Sequence, residues 1–322
     1  MKNSNLWRIA TAVFAVGSII YTTTSSSRSR RASRENESET GEEPDYKVPI
    51  EYQQVFDKNL IIPAGWAFGA VWGTVYSGLT ALLVHQAMPS QAYNPRYQKA
   101  LPWWWRSFAL NAIFGKFFSQ SDPQSVVASD ITTKLNLPSA LALHHSLEIG
   151  KTDVHAPEKY LRIPVSLYSG WLTAATVVGT PDTLLTLGLW DRDDARDLPL
   201  AAGILGVTGA AGFAIARQLN DPWFMVPFIA GFGGIATRHW NKPDKALVAY
   251  TAAGLAAIYA CLVAYWVPKG TFRPYERTVE DADYEVETVI EPVSPGAIYS
   301  GQQHQAEIAR ERMEPIEAEG LD

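Results

Sequence analysis

The sequence of 322 residues holds a single cysteine, Cys261. That scarcity excludes an intrachain disulfide framework and a four-cysteine zinc site. The chain also lacks G-x-S-x-G, H-E-x-x-H and C-x-x-C motifs. Gly150-Lys151-Thr152 ends like a phosphate-binding loop, but His145 stands where such a loop needs glycine. Charge is sparse, at 19% of residues, and the net charge of -6 supplies no basic field for nucleic acid. His144 and Glu148 are spaced to share a metal, yet nothing nearby supplies a third ligand, so a polar helix face is the expected reading. Paired carboxylates occur only in the Asp191–Asp197 loop and the tails, where they read as solvated charge. No catalytic residue, no metal and no cofactor is therefore expected, and an enzyme is the least favoured class.

What the chain does have is 11 Trp, 23 Gly and several long apolar runs. Crossing roughly 30 Å of hydrocarbon takes about 20 residues of α-helix. The stretches 61–87, 101–120, 160–189, 198–217 and 243–267 meet that length, and 222–237 is shorter but free of charge. The stretch 126–149 is long enough but carries Asp130, Lys134, His144, His145 and Glu148, so it can cross only with its polar face turned inward. The expected fold is all-α: a polytopic transmembrane helical bundle of six or seven main spans. It is preceded by an N-terminal hydrophobic anchor (1–21, an uncleaved signal anchor) and a flexible polar linker (22–57). The bundle covers 58–267, and 268–322 is a disordered Pro- and Glu-rich tail in which Glu307 to Glu314 could form a helical turn. As one helix, the stretch ending in Trp190 would run about 46 Å, too long for one crossing. A break at Thr180-Pro181 is expected, with Thr180 as N-cap and Asp182 in a first turn.

In the first strong span, Gly65, Gly69 and Gly73 repeat every four residues, and Phe68, Trp72 and Tyr76 do the same. At 100° per residue the two stripes share one helix face. Such a face serves either close helix packing or a ligand wall, and the choice stays open. Trp103, Trp104, Trp105, Trp190, Trp223, Trp240 and Trp266 fall at span ends, as an interfacial aromatic belt would. Trp72 and Trp171 lie near the expected bilayer midplane, where an indole N–H needs a partner and a lined cavity would provide one. Asn111 sits mid-span, suited equally to bridging helices and to contacting a ligand.

Pro63 to Tyr76, PAGWAFGAVWGTVY, resembles the first-helix signature of the tryptophan-rich sensory protein / translocator protein family (peripheral benzodiazepine receptors), through Pro63, Trp66, Phe68, Val71, Trp72 and Tyr76. Asn111 in LNAIFGKFF is similar to the family's second-helix segment. Ile163 to Thr176 resembles the fourth helix of its longer bacterial-type relatives. The resemblance implies a helical membrane protein that binds a hydrophobic small molecule, a tetrapyrrole or a sterol. Trp66, Phe68, Trp72, Tyr76, Asn111 and Trp171 would contact it, in a sensory or receptor role. The lipid bilayer is the other expected partner, and the cell inner membrane the expected location. The Gly65/Gly69/Gly73 face admits a homodimer contact or a ligand, not both. Two further classes remain beside this reading: a small transporter using the charged 126–149 face, and an assembly protein with no lined cavity.

Overall fold

The computed structural model describes residues 2–40, 57–118, 120 and 122–279. The helices are α1 (Lys2–Thr40), α2 (Gly65–Ala87), α3 (Pro95–Phe118), α4 (Pro123–Ser146), the short α5 (Glu158–Leu161), α6 (Ile163–Thr186), α7 (Asp194–Leu219), α8 (Val226–His239) and α9 (Ala246–Trp266). A two-residue strand β1 (Thr152–Asp153) pairs in parallel with β2 (Arg277–Thr278). The helix ends follow local chemistry. Asp122 caps α4 by accepting from the Ser125 N–H at 3.0 Å, with Pro123 in the first turn. Asp193 caps α7 in the same way, and Asn220 closes it in the left-handed conformation at φ 58°.

Four helical segments among the described residues are long and apolar enough to cross a membrane: Leu6–Ser25, Gly65–Ala87, Asp194–Leu219 and Pro243–Lys269. The other long helices are more polar because their polar faces are packed inside. On α4, Ser129, Asp130, Thr132, Asn136 and His144 are buried, as a polar face turned inward requires. In lipid such contacts and close packing, not the hydrophobic effect, hold helices together.

The first helix runs past residue 21, the expected end of the anchor, to Thr40. Its apolar part is bound to the bundle. Arg8 donates from Nη1 to the carbonyls of Gln86 (2.8 Å) and Met88 (3.0 Å), Ser18 donates to Phe108 O (2.7 Å), and Thr22 to Asn111 O (3.1 Å). Phe14 stacks on Trp105. Linker residues 41–56 and the tail from 280, including the helical turn expected over Glu307 to Glu314, lie outside the described residues.

Two expectations fail. The break at Thr180-Pro181 is absent, and α6 passes through Pro181 to Thr186. Proline removes one main-chain donor and crowds the carbonyl four residues earlier. Beside the Val177 carbonyl, which Pro181 leaves without its helical donor, Asn59 grips the helix: its amide donates to Val178 O (3.0 Å) and to Asp182 Oδ1 (2.7 Å). Thr180 is no N-cap, since its hydroxyl donates back to Thr176 O. Asp182 therefore sits near the end of a helix, buried, instead of in a first turn. Trp104 is also no belt residue. It is fully buried and donates from Nε1 to Gln86 Oε1 at 2.9 Å.

At one end of the bundle the chain is clasped shut. Arg96 and Glu158 are joined by two bonds of 3.0 and 3.1 Å, and Asn220 donates to Gly150 O and Arg273 O. His144, expected on a polar face, is buried against Asp221 at 2.8 Å. Arg277 donates to Glu148 Oε2 at 2.7 Å beside the β1–β2 pair. Burial opposes the charge on Glu148, but the Thr152 hydroxyl, Arg277 and Lys99 outweigh it and hold its pKa below the usual carboxylate range. A carboxylate depressed in the folded state adds stability above its unfolded pKa and loses it as pH falls through the folded value. The melting temperature is therefore expected to drop on acidification below the usual carboxylate range. Glu148→Gln should flatten that acid limb, by about 1 kcal/mol at most for so accessible a cluster.

Candidate functional site

Between the helices, toward the end opposite the clasp, lies a cavity of about 1630 Å³. That exceeds the roughly 300–1,000 Å³ of ordinary small-molecule pockets. One face of α2 forms its floor. Ala67, Val71, Val75 and Leu79 turn into the protein core, while Gly69, Trp72, Gly73 and Tyr76 line the cavity. A Cβ built on Gly69 or Gly73 would meet nothing within 4 Å. The glycine stripe is thus not a packing seam within this chain but an open floor.

The aromatic wall is continuous. Trp72 stacks on Tyr76 with centroids 4.8 Å apart, and Trp171 from α6 meets Phe68 edge-on at 5.5 Å and Trp72 at 6.5 Å. These offset and edge-on arrangements are the favourable ones for aromatic pairs. Phe228 and Phe232 of α8 extend the wall. Trp66 stands half-exposed at the mouth, its Nε1 donating to Thr237 at 3.0 Å. All six residues singled out in the sequence, Trp66, Phe68, Trp72, Tyr76, Asn111 and Trp171, line this one cavity.

Their polar ends differ in availability. Asn111 donates to the Tyr168 hydroxyl (3.0 Å), which also accepts from Asn136 (2.7 Å) and is hydrogen-bonded to Ser107 (2.8 Å). That buried network ties α3, α4 and α6 together, so the Asn111 amide is committed to the wall. The Tyr76 hydroxyl and the Trp171 indole N–H have no hydrogen-bond partner among the described residues, and both residues face the cavity. Tyr168 and Asn136 went unnoticed in the sequence, although Tyr168 lies three residues before Trp171 and shares its helix face.

The structure also brings together two carboxylates that are remote in sequence. Asp130 from α4 and Asp182 from α6 both line the cavity and both are buried. This corrects the expectation that paired carboxylates occur only in loops and tails. Asp130 is held through Oδ2 by Lys134 and by Thr183 (2.6 Å), while Asp182 accepts from Asn59. At the mouth, Arg238 donates to Asp57 at 3.0 Å. Among the described residues no group of three or more His, Cys, Asp or Glu side chains could hold a metal ion.

Two further elements reach the cavity. Ile19 and Thr22 come from α1, and Leu205 from α7. Fold and cavity together define a many-helix bundle built around an aromatic-walled chamber. The family model described as TSPO-like protein matches residues 50–265, more than half of the chain, so the chain belongs to the TSPO-like family. It is an integral, multi-pass membrane protein of all-α architecture in contact with the lipid bilayer. Neither the search of curated proteins nor that of solved structures gave a match.

Proposed function

We propose that the protein is a non-catalytic, sensory or regulatory receptor of the inner membrane that holds a flat hydrophobic ligand, a tetrapyrrole or a sterol, in the chamber between α2 and α6. The supporting observation is the continuous aromatic wall of Phe68, Trp72, Tyr76 and Trp171 beside an open glycine floor. A flat ring system gains most from such a wall, through stacking and apolar contact, while the Tyr76 hydroxyl and the Trp171 indole offer hydrogen bonds that fix its orientation. The binding reading over a catalytic one draws on two features. Among the described residues no His or Cys lines the cavity, and the buried Ser107 and Tyr168 hydroxyls are bonded to each other and to asparagine amides. A transporter would have used a broken helix at midplane, and α6 continues without a break.

The test is titration of the detergent-purified protein with protoporphyrin, read by tryptophan-fluorescence quenching and compared with a Trp72→Leu/Trp171→Leu variant. Removing two stacking surfaces is expected to weaken saturable binding by about tenfold or more. Equal quenching in both proteins, or none in either, would sink the proposal.

A further inference from the structure

The chamber has two unlike walls. We infer that the wall facing the aromatic one, built by α1, α3 and α4, holds an acyl chain of a bilayer phospholipid beside the flat ligand. The inference rests on the chamber reading above and adds a second occupant to it.

Helix packing sets the two walls apart. α2 packs on α1, α6 and α8, whereas α4 packs on α3 and α6. Trp72 and Tyr76 of α2 nevertheless share one cavity with Phe114 of α3 and with Val126 and Thr133 of α4. The chamber therefore separates α2 from the α3–α4 pair. α1, packed on both α2 and α3, closes that side with Ile19, Thr22 and Thr23. This edge of the chamber comes from outside the 50–265 region matched to the family.

Size calls for a second occupant. A drug-sized ligand needs at most about 1,000 Å³, which leaves about 600 Å³ of the chamber over. Side chains that border an unfilled apolar space lose dispersion contacts. In a bilayer the material at hand to restore them is the lipid tail, which is as apolar as leucine.

The chemistry of this wall suits such a tail. Among the described residues, each hydroxyl on it is turned back on the main chain. Thr22 donates to Asn111 O, Thr23 to Ile19 O, Ser129 to Ser125 O, Thr132 to Ala128 O and Thr133 to Ser129 O. The Asn111 and Asn136 amides are bound to Tyr168, and Asp130 is enclosed by Gly179, Lys134 and Thr183. What is left to contact an occupant is mainly hydrocarbon, including the stacked Phe114 and Phe118 rings with centroids 4.9 Å apart. A ligand with polar atoms is better satisfied on the Tyr76 and Trp171 side, and a chain without them loses nothing here. The depth also fits. Thr23 lies two residues from the end of the apolar segment Leu6–Ser25, and Phe118 is the last residue of α3. A tail can enter at that level while its headgroup stays at the interface.

The experiment is native mass spectrometry of the full chain released from dioleoylphosphatidylcholine nanodiscs, with and without protoporphyrin. The wild type is expected to retain one phospholipid and to keep it when protoporphyrin binds. Thr133→Trp, at a half-buried position on the lipid wall, should lower lipid occupancy by about tenfold and leave protoporphyrin binding intact. Thr133→Leu adds less bulk and should lower it by a smaller factor, and melting temperatures verify that both variants fold. Gly73→Leu, on the opposite floor, should lose protoporphyrin and keep the lipid. No retained lipid in the wild type, equal retention in the folded Thr133 variants, or one-for-one release of lipid by protoporphyrin would each overturn the inference. Retention of free oleate from oleate-doped nanodiscs in place of the phospholipid would overturn the assigned source. A wild type that keeps its lipid, loses it on Thr133→Trp and never binds protoporphyrin would uphold the lipid wall and sink the receptor proposal instead.

Discussion

Replacing Gly170 by alanine is expected to destabilise the protein by about 3 kcal/mol or more, the range of severe overpacking. A Cβ at Gly170 would stand 2.1 Å from the carbonyl oxygen of Phe224 and 3.1 Å from its carbon. These are main-chain atoms, so no side chain can swing away to make room. The contact is where α6 crosses the turn Pro222–Met225 ahead of α8, and α8 carries Phe228 and Phe232 into the chamber. Separating them would therefore loosen the chamber as well as the fold. Thermal unfolding in detergent would measure the effect, and a melting temperature equal to that of the wild type would contradict the packing described here.

Gly73→Leu should do the opposite. Because nothing lies within 4 Å of the added Cβ and leucine is the better helix former, the variant should fold with a melting temperature no lower than that of the wild type. The leucine side chain would instead fill the chamber floor between Trp72 and Tyr76 in sequence, and a rigid flat ligand cannot share that volume. Affinity is expected to fall by about two orders of magnitude, as when a clash is built against one partner only. The same titration that tests Trp72 and Trp171 would read it. Unimpaired ligand binding in this variant would show that the ligand does not use the α2 floor. The two glycines thus separate a residue needed for assembly from one needed for space.

How much of this was legible in the sequence depends on how far apart the partners lie. The α2 face was readable because its aromatic and glycine repeats are local and helical periodicity places them on one side. Trp171 was readable as a deep tryptophan in an apolar run. Asp130 and Asp182 were not, because no local pattern joins residues of different helices. Asp182 was misplaced for a specific reason. Pro181 predicts a helix break from its own chemistry, and the residue that grips the helix on either side of it, Asn59, belongs to a segment before α2. Trp104 was misread through an error of depth. The apolar run begins near residue 101, but the helix begins at Pro95, so the indole lies more than two turns inside and finds Gln86. Sequence hydropathy marks where a helix is greasy, not where it starts.

The N-terminal helix lies outside the 50–265 region shared with the family, yet it supplies Ile19 and Thr22 to the chamber. Its donors, from Arg8, Ser18 and Thr22, end on main-chain carbonyls of Gln86, Met88, Phe108 and Asn111. A carbonyl is present whatever side chain the residue bears. These bonds therefore constrain the side chains of α1 more than those of α2 and α3, apart from contacts such as Trp105 Nε1 to Thr11 and the close approach at Gly115, where a Cβ would meet Thr22 at 2.9 Å. Substitution along the face of α1 that carries Ile19 and Thr22 can then alter the chamber while α2 and α3 keep their sequence.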